Sequence, residues 1–136
     1  MCHAWLRRSC LGGQTIRDAQ RVYADVFVLG TCGIDSEIGI TSLDAEEAEL
    51  KRCMIEQSGR IVVPATTDKI GTVAPYKVAD CSKIDVLVVQ TTVSASLIAR
   101  FEADGMRVEA ASWEIGSYRI ISKADWVRHF VGPYPE

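Results

Sequence analysis

The stretch DVFVLGTCGIDSEIGITSLDAEEAELK, residues 25–51, decides the fold of this chain. Its first part, Val26 to Leu29, is a short continuous apolar run, which is typical of a strand buried on both faces in a parallel sheet. Gly30 and Gly33 end this run and begin a polar loop. The stretch therefore begins with a strand and a glycine loop at its carboxyl end.

A helix start follows the loop. Asp44 and Glu47 form an Asp-x-x-Glu capping box, in which Asp44 accepts from free amides of the first turn and Glu47 reaches back. A helix is therefore predicted to begin near Ala45. A loop rich in glycine and hydroxyl groups, with a helix N-terminus behind it, can hold an anion without a dedicated charge.

Length and composition limit the classes of protein to consider. The 136 residues, 48% apolar and 24% charged, predict one globular domain. The net charge of −3 disfavours DNA binding by these residues alone. No apolar run approaches the roughly 18–20 residues that span a bilayer, and the first residues lack the apolar core of a signal peptide. A cytoplasmic protein with no membrane partner is expected.

The rest of the chain alternates predicted strands and helices. Three further runs of apolar and β-branched residues predict strands, the last with the alternation of a sheet edge: 61–65, 85–90 and 106–111. Three segments with helical spacing predict helices: 14–23, 45–57 and 95–104. Residues 72–83 predict one or two helical turns. This alternation favours an α/β fold, a parallel sheet with helices on both faces.

Two of these helices have predicted inner faces. In the first, the inward positions are Ile16, Ala19, Val22 and Tyr23; in the second they are Ala48, Leu50, Met54 and Ile55. Glu47 and Lys51 are also spaced for a favourable i,i+4 ion pair on the second helix.

The cysteines and histidines predict no metal site, no disulfide framework and no cofactor. The five cysteines are Cys2, Cys10, Cys32, Cys53 and Cys81, and none forms a Cys-x-x-Cys pair. Only Cys32 lies in the glycine loop. It is either a nucleophile with a lowered pKa or, the favoured reading, a small residue that fills a tight loop. His3 and His129 are isolated.

A second polar loop, TTDKIG at residues 66–71, follows the strand at 61–65. Lys69 is the natural countercharge for an anion held by the glycine loop. It is equally well read as a solvated loop lysine, and the spacing does not decide between the two.

At this point the pattern resembles a known family. The order of FVLGTCGID, GITSLDAEEAELKRCMIE and RIVVPATTDKIG, with the spacing to IDVLVV, is similar to the sensor domain of the DeoR family of bacterial sugar-metabolism repressors. The resemblance covers about Leu11 to Ala111. It implies a fold similar to ribose-5-phosphate isomerase and coenzyme A transferases, and a phosphorylated sugar or polyol as effector. It also implies DNA binding only through a winged helix-turn-helix domain that is not part of these residues.

The resemblance carries a set of residues into a candidate ligand site. In that site the backbone amides at 30–33 and the Lys69 ammonium would take the phosphate, and a carboxylate where the helix begins would accept sugar hydroxyls. The candidate ligand-binding residues are Gly30, Thr31, Cys32, Gly33, Asp35, Thr41, Glu47, Lys51 and Lys69.

The chain also departs from the family pattern. Nothing before Leu11 corresponds to a DNA-reading domain or to the first sensor strands, so residues 1–111 are expected to be an N-terminally truncated effector-sensing domain and 112–136 an extension of unassigned role. Thr66 and Gln90 stand where carboxylates are usual in the family. Loss of opening strands would leave a sheet edge unpaired, with dimerisation or local disorder as the expected consequence, and a homo-oligomer is the favoured prediction.

Three functions are compatible with these features. The first is a phosphorylated-sugar sensor, whose effector changes oligomer packing and DNA affinity in a full-length regulator. The second is a small aldose-phosphate isomerase with Glu47 or Asp35 as general base, although no paired acid and base have a recognisable spacing. The third is a truncated packing module without a ligand. The sensor is the favoured prediction.

Overall fold

The computed structural model describes residues 11–112. The helices are α1 (Gly13–Ala19), α2 (Ala45–Glu56) and α3 (Ala95–Ala103), with two 3-10 turns at Thr67–Lys69 and Cys81–Lys83. The strands are β1 (Phe27–Val28), β2 (Gly33–Asp35), β3 (Gly39–Ser42), β4 (Ile61–Ala65), β5 (Tyr76–Ala79), β6 (Val86–Gln90) and β7 (Arg107–Ala111). The 112–136 extension lies outside the described residues except for Ser112.

Four of these strands form a parallel sheet in the order β1-β4-β6-β7. Each neighbouring pair is parallel, and the central pair is in register from Val62 opposite Val86 to Ala65 opposite Val89. The β-branched runs at 61–65 and 85–90 are its two inner strands, since they are buried on both faces. The predicted parallel α/β class is confirmed, and β7 lies at an edge of the described sheet.

The two faces of this sheet pack differently. Leu87 and Val89 point into the larger apolar cluster, which α3 completes through Phe101. Val86 and Val88 alternate with them and belong to a smaller cluster on the opposite face. Within residues 11–112, the residues of that smaller cluster come from strands and from Val26 before β1. Helix packing against the sheet is thus supported on one face.

A second sheet was not predicted from the sequence. Strands β2, β3 and β5 form an antiparallel sheet in that order, with Ile34 opposite Ile40 and Ser42 opposite Tyr76. The prediction of a plain polar loop over residues 30–44 is therefore wrong. The helical turns predicted over 72–83 are also wrong for Tyr76–Ala79, because β3 offers these residues a ladder of backbone partners that local periodicity does not reveal.

The helices follow the predictions except at the first one. Helix α2 begins at Ala45, and Asp44 Oδ1 accepts from the amides of Glu46 and Glu47 at 3.0 Å each, as a capping residue should. Helix α1, however, ends at Ala19, and the supposed inner residues Val22 and Tyr23 are 62% and 84% exposed. No helix of the described part of the chain is long and apolar enough to cross a bilayer.

Candidate functional site

The candidate site lies where the parallel strands end. Gly30 follows β1 closely, the 3-10 turn Thr67–Lys69 follows β4, and Gln90 closes β6. Because the carboxyl ends of parallel strands meet at one edge of the sheet, these segments share that edge, which is where open α/β sheets bind ligands. We call it the carboxyl edge.

The glycine loop is closed by its own hydrogen bonds. The Thr31 hydroxyl donates to the Gly33 carbonyl at 2.7 Å and accepts from the Gly33 amide at 3.1 Å. The Thr41 hydroxyl donates to the same carbonyl at 3.1 Å and accepts from the Ala74 amide at 2.8 Å. Thr31 and Thr41 are 4% and 1% exposed. Both hydroxyls therefore hold the loop against β3 and the segment before β5.

These hydrogen bonds correct the prediction that all four backbone amides of residues 30–33 bind the anion. The Gly33 amide donates to the Thr31 hydroxyl, and the Cys32 amide donates to the Thr41 carbonyl at 3.3 Å. Neither can also bind a ligand without breaking a bond, so Cys32 and Gly33 are not brought to the site through their amides. The amides of Gly30 and Thr31 have no acceptor among residues 11–112, and Gly30 is exposed.

Asp35 forms a turn, and the structure does not bring it to the carboxyl edge. Its Oδ1 accepts from the amides of Glu37 at 2.9 Å and Ile38 at 3.1 Å, which closes the connection between β2 and β3. A carboxylate with two amide donors is the usual Asx turn. The prediction of Asp35 as a ligand contact, or as a general base, is therefore replaced by a structural role.

Glu47 and Lys51 form a network that leads into the interior. Glu47 Oε1 lies 2.7 Å from Lys51 Nζ, as the i,i+4 spacing predicted, and Glu47 Oε2 accepts from the Ser42 hydroxyl at 3.2 Å. The Lys51 side chain is only 12% exposed and Ser42 is fully buried. The carboxylate that was expected to accept sugar hydroxyls thus neutralises a mostly buried ammonium group.

Lys69 is brought beside the glycine loop. Ile34 and Ile70 form a parallel bridge, and the Gly71 amide donates to the Ile34 carbonyl at 2.7 Å. Lys69 therefore occupies the register position of Gly33, on a backbone about 5 Å away. Its ammonium makes no ion pair with any carboxylate of residues 11–112.

The neighbouring carboxylate, Asp68, has other interactions. A hydrogen bond from the Thr66 side chain lowers the pKa of Asp68. The Lys69 charge lowers this pKa further, so Asp68 is ionised at neutral pH and interacts with Lys69 electrostatically.

Two side chains at the carboxyl edge have a contact that the sequence did not predict. Gln90 Oε1 accepts from both the amide and the hydroxyl of Thr67, at 3.0 and 2.9 Å. The Thr92 hydroxyl lies 3.2 Å from that of Thr67. The only available signal was polar residues at the ends of two inner strands, which identifies an edge but not a contact.

Other features of the structure lie away from this edge. A cleft of about 560 Å³ opens at the amino ends of β4 and β6, between side chains that include Arg52, Lys83 and Asp85. Arg52 already donates to the Lys77 carbonyl at 2.7 Å there. Among residues 11–112 no group of three or more His, Cys, Asp or Glu side chains could hold a metal ion. The cleft at the amino ends of β4 and β6 is therefore a weaker candidate for an anion site than the carboxyl edge.

Comparison with known proteins gives a consistent family. The family model described as DeoR C terminal sensor domain matches residues 5–91. The chain is 29% identical over 101 residues to a putative aga operon transcriptional repressor of Escherichia coli O157:H7, covering 74% of this chain and 38% of that protein. It is 29% identical over 103 residues to the HTH-type transcriptional regulator GlpR of Haloferax volcanii, covering 75% and 40%.

A third relative is the HTH-type transcriptional repressor GlcR of Bacillus subtilis, 27% identical over 101 residues, which are 74% of this chain and 39% of that protein. The chain thus spans about two fifths of the length of these curated relatives. The resemblance noted from the sequence is confirmed by the family match. This chain belongs to the DeoR C-terminal sensor domain family.

Proposed function

We propose that this chain binds a phosphorylated sugar or polyol at the carboxyl edge of its parallel sheet. The observation that carries the proposal is the bridge between Ile34 and Ile70, because it holds Lys69 beside the glycine loop. The Lys69 ammonium forms no ion pair within residues 11–112, although it interacts with the Asp68 charge, and it shares one edge with two amides that have no acceptor among those residues. A phosphate group could satisfy all three donors.

The site divides into two parts in this proposal. The Gly30 and Thr31 amides and Lys69 take the phosphate. The uncharged groups that line the rest of the edge, Thr67, Gln90 and Thr92, face the sugar or polyol, whose hydroxyls both donate and accept. An Ala Cβ at Gly30 would meet nothing within 4 Å, so the loop is open to a ligand on that side.

The sensing role belongs to a longer regulator. The relatives are transcriptional regulators by name and more than twice as long as the matched region. We propose that the effector binds two states of such a regulator differently and thereby changes its affinity for DNA, which a helix-turn-helix domain outside this chain would contact. A homo-oligomer in the cytoplasm is the expected setting. Turnover by an isomerase is disfavoured, because Asp35 and Glu47 are both engaged in structural contacts.

The proposal is tested by ligand-dependent stability. A panel of sugar and polyol phosphates should raise the Tm of the purified chain, because a ligand at 100 times its Kd stabilises the native state by about 2.7 kcal/mol. The non-phosphorylated sugars should not raise it. Lys69→Ala should abolish the shift.

Lys83 supplies the matched control. It is also the last residue of a 3-10 turn and is exposed, but it lies before β6 at the opposite end of the sheet. Lys83→Ala should keep the full shift. An equal loss in both variants would mean that general charge, not the carboxyl edge, attracts the ligand. No shift with any member of the panel would count against the sensor, and turnover of ribose 5-phosphate would favour the isomerase.

A further inference from the structure

A side chain of strand β6, Gln90, is hydrogen-bonded to the loop that carries Lys69. Gln90 Oε1 receives two hydrogen bonds from Thr67, one from the backbone amide at 3.0 Å and one from the hydroxyl at 2.9 Å. Because the Thr67 hydroxyl donates to Gln90, the Thr92 hydroxyl, 3.2 Å away, is the donor to Thr67 Oγ1. Thr67 is the first residue of the 3-10 turn whose last residue is Lys69.

The other end of this loop is tied to the second sheet. The Ile34–Ile70 bridge and the bond from the Gly71 amide to the Ile34 carbonyl, at 2.7 Å, fix the residues directly after Lys69. The Thr72 hydroxyl also donates to the Lys69 carbonyl at 2.8 Å. The loop is thus anchored on one side by β2 and on the other by Gln90. Loss of either anchor would let the backbone of Lys69 move relative to the glycine loop.

We propose that Gln90 is a positioning residue for ligand binding: through Thr67 it fixes the loop that carries Lys69. This proposal rests on the proposed function of the carboxyl edge. It assigns to Gln90 no direct contact with the phosphate.

The test uses the full chain, with inorganic phosphate as the probe and two replacements of Gln90. Gln90→Met removes the acceptor, so protection of the Thr67 amide against hydrogen exchange should fall about tenfold, the size of one net hydrogen bond. The affinity for phosphate, measured from amide chemical shifts, should also fall in Gln90→Met. Gln90→Glu keeps the acceptor and should therefore keep the Thr67 protection.

Gln14→Met is the control, because Gln14 is a glutamine on the exposed surface whose side chain, like that of Gln90, accepts a hydrogen bond, here from Arg17 at 2.8 Å. It should change neither quantity. The positioning role is overturned if wild type binds phosphate and Gln90→Met binds it equally well, or if the Thr67 protection is unchanged. If wild type itself binds neither phosphate nor any sugar phosphate, the proposed function fails instead, and the Thr67 measurement still decides whether Gln90 anchors the loop.

Discussion

Two glycines three residues apart in one loop have different physical roles. A Cβ on Gly33 would lie 2.5 Å from the Thr72 carbonyl oxygen, a backbone atom that cannot rotate away. A Cβ on Gly30 would meet nothing within 4 Å, and the Gly30 backbone does not need a positive φ. Gly33 is therefore required for the close approach of β2 to the segment after Lys69, whereas Gly30 borders open space.

Replacement of each glycine by alanine tests this difference. Gly33→Ala should lower the free energy of unfolding by about 1–3 kcal/mol, because the backbones must separate to admit the methyl group. Gly30→Ala should change it by no more than about 0.5 kcal/mol, as at other open surface positions. Urea unfolding of both variants measures the contrast. Equal destabilisation would show that the loop and Thr72 are less closely packed than the structure indicates.

The same loop shows how far residue patterns predict a site. The sequence predicted a site at the loops that follow the strands, with Lys69 as one candidate countercharge, and the structure brings the Lys69 backbone beside the glycine loop; ligand binding there stays a prediction. The sequence could not separate a hydroxyl that awaits a ligand from one that closes the loop. Thr31 and Thr41 are in the second class because their hydrogen bonds come from residues 8 to 33 positions away as well as from within the loop. Such contacts depend on the second sheet, which the sequence did not predict.

At the scale of elements, segments with a long and regular local pattern were predicted correctly, whereas short segments with a mixed pattern were not. Helix α2 has a capping residue and an i,i+4 pair, and β4 and β6 are five-residue apolar strands. The local sequence is therefore enough to predict each of these three elements. Strands β2, β3 and β5 have only three or four residues, and β3 pairs with a strand some 35 positions later. Pairing of that kind is decided by tertiary contacts, which override local propensity.

Helix α2 offers two glutamates for comparison. Glu47 faces Lys51, whose side chain is 12% exposed, and also accepts from the buried Ser42. Glu49 pairs with Arg52 at the surface, where the two side chains are 59% and 41% exposed. Breaking a solvated charge pair costs little stability. Removal of Glu47, in contrast, leaves the mostly buried Lys51 ammonium without a compensating charge. The two pairs should therefore differ in their contribution to stability.

The expected result is a large effect at one position and a small one at the other. Glu47→Ala should lower the free energy of unfolding by about 2–3 kcal/mol, and Glu49→Ala by less than about 1 kcal/mol. Lys51→Met introduced into Glu47→Ala should recover part of the loss, since it removes the uncompensated ammonium. Denaturant titration of the single and double variants gives the coupling energy. A double variant less stable than Glu47→Ala would contradict a buried-charge origin.

At the scale of the whole molecule, two sheets share one apolar core. The larger cluster combines Leu87 and Val89 of the parallel sheet with Ile34, Ile40 and Val78 of the antiparallel one. The parallel sheet follows from its sequence runs and the right-handed connections of α/β proteins, but the way in which a second sheet closes one side of it does not. The carboxyl edge lies where the two sheets meet, through the Ile34–Ile70 bridge, so the proposed ligand site depends on their relative placement.

Cys81 is part of the apolar core that the two sheets share. It begins the 3-10 turn after β5, is 6% exposed, and its thiol donates to the Asp35 carbonyl of β2 at 3.4 Å. Burial raises the pKa of the Cys81 thiol from the usual 9.0 to about 11, with further contributions from Asp104 and Asp35. The native state therefore keeps this proton between about pH 9 and 11, where the unfolded state releases it.

Stability linked to Cys81 is consequently complete below pH 9 and is lost as the pH rises towards about 11. The loss should amount to about 2–3 kcal/mol across this window, since one pKa unit corresponds to about 1.4 kcal/mol. In Cys81→Ser, which keeps a hydroxyl donor but does not titrate here, unfolding free energy should fall less steeply over the same range. The difference between the two curves is the measurement, because it isolates the contribution of residue 81. Parallel curves would show that solvent reaches the thiol, and that the core around Cys81 is more open than its contacts imply.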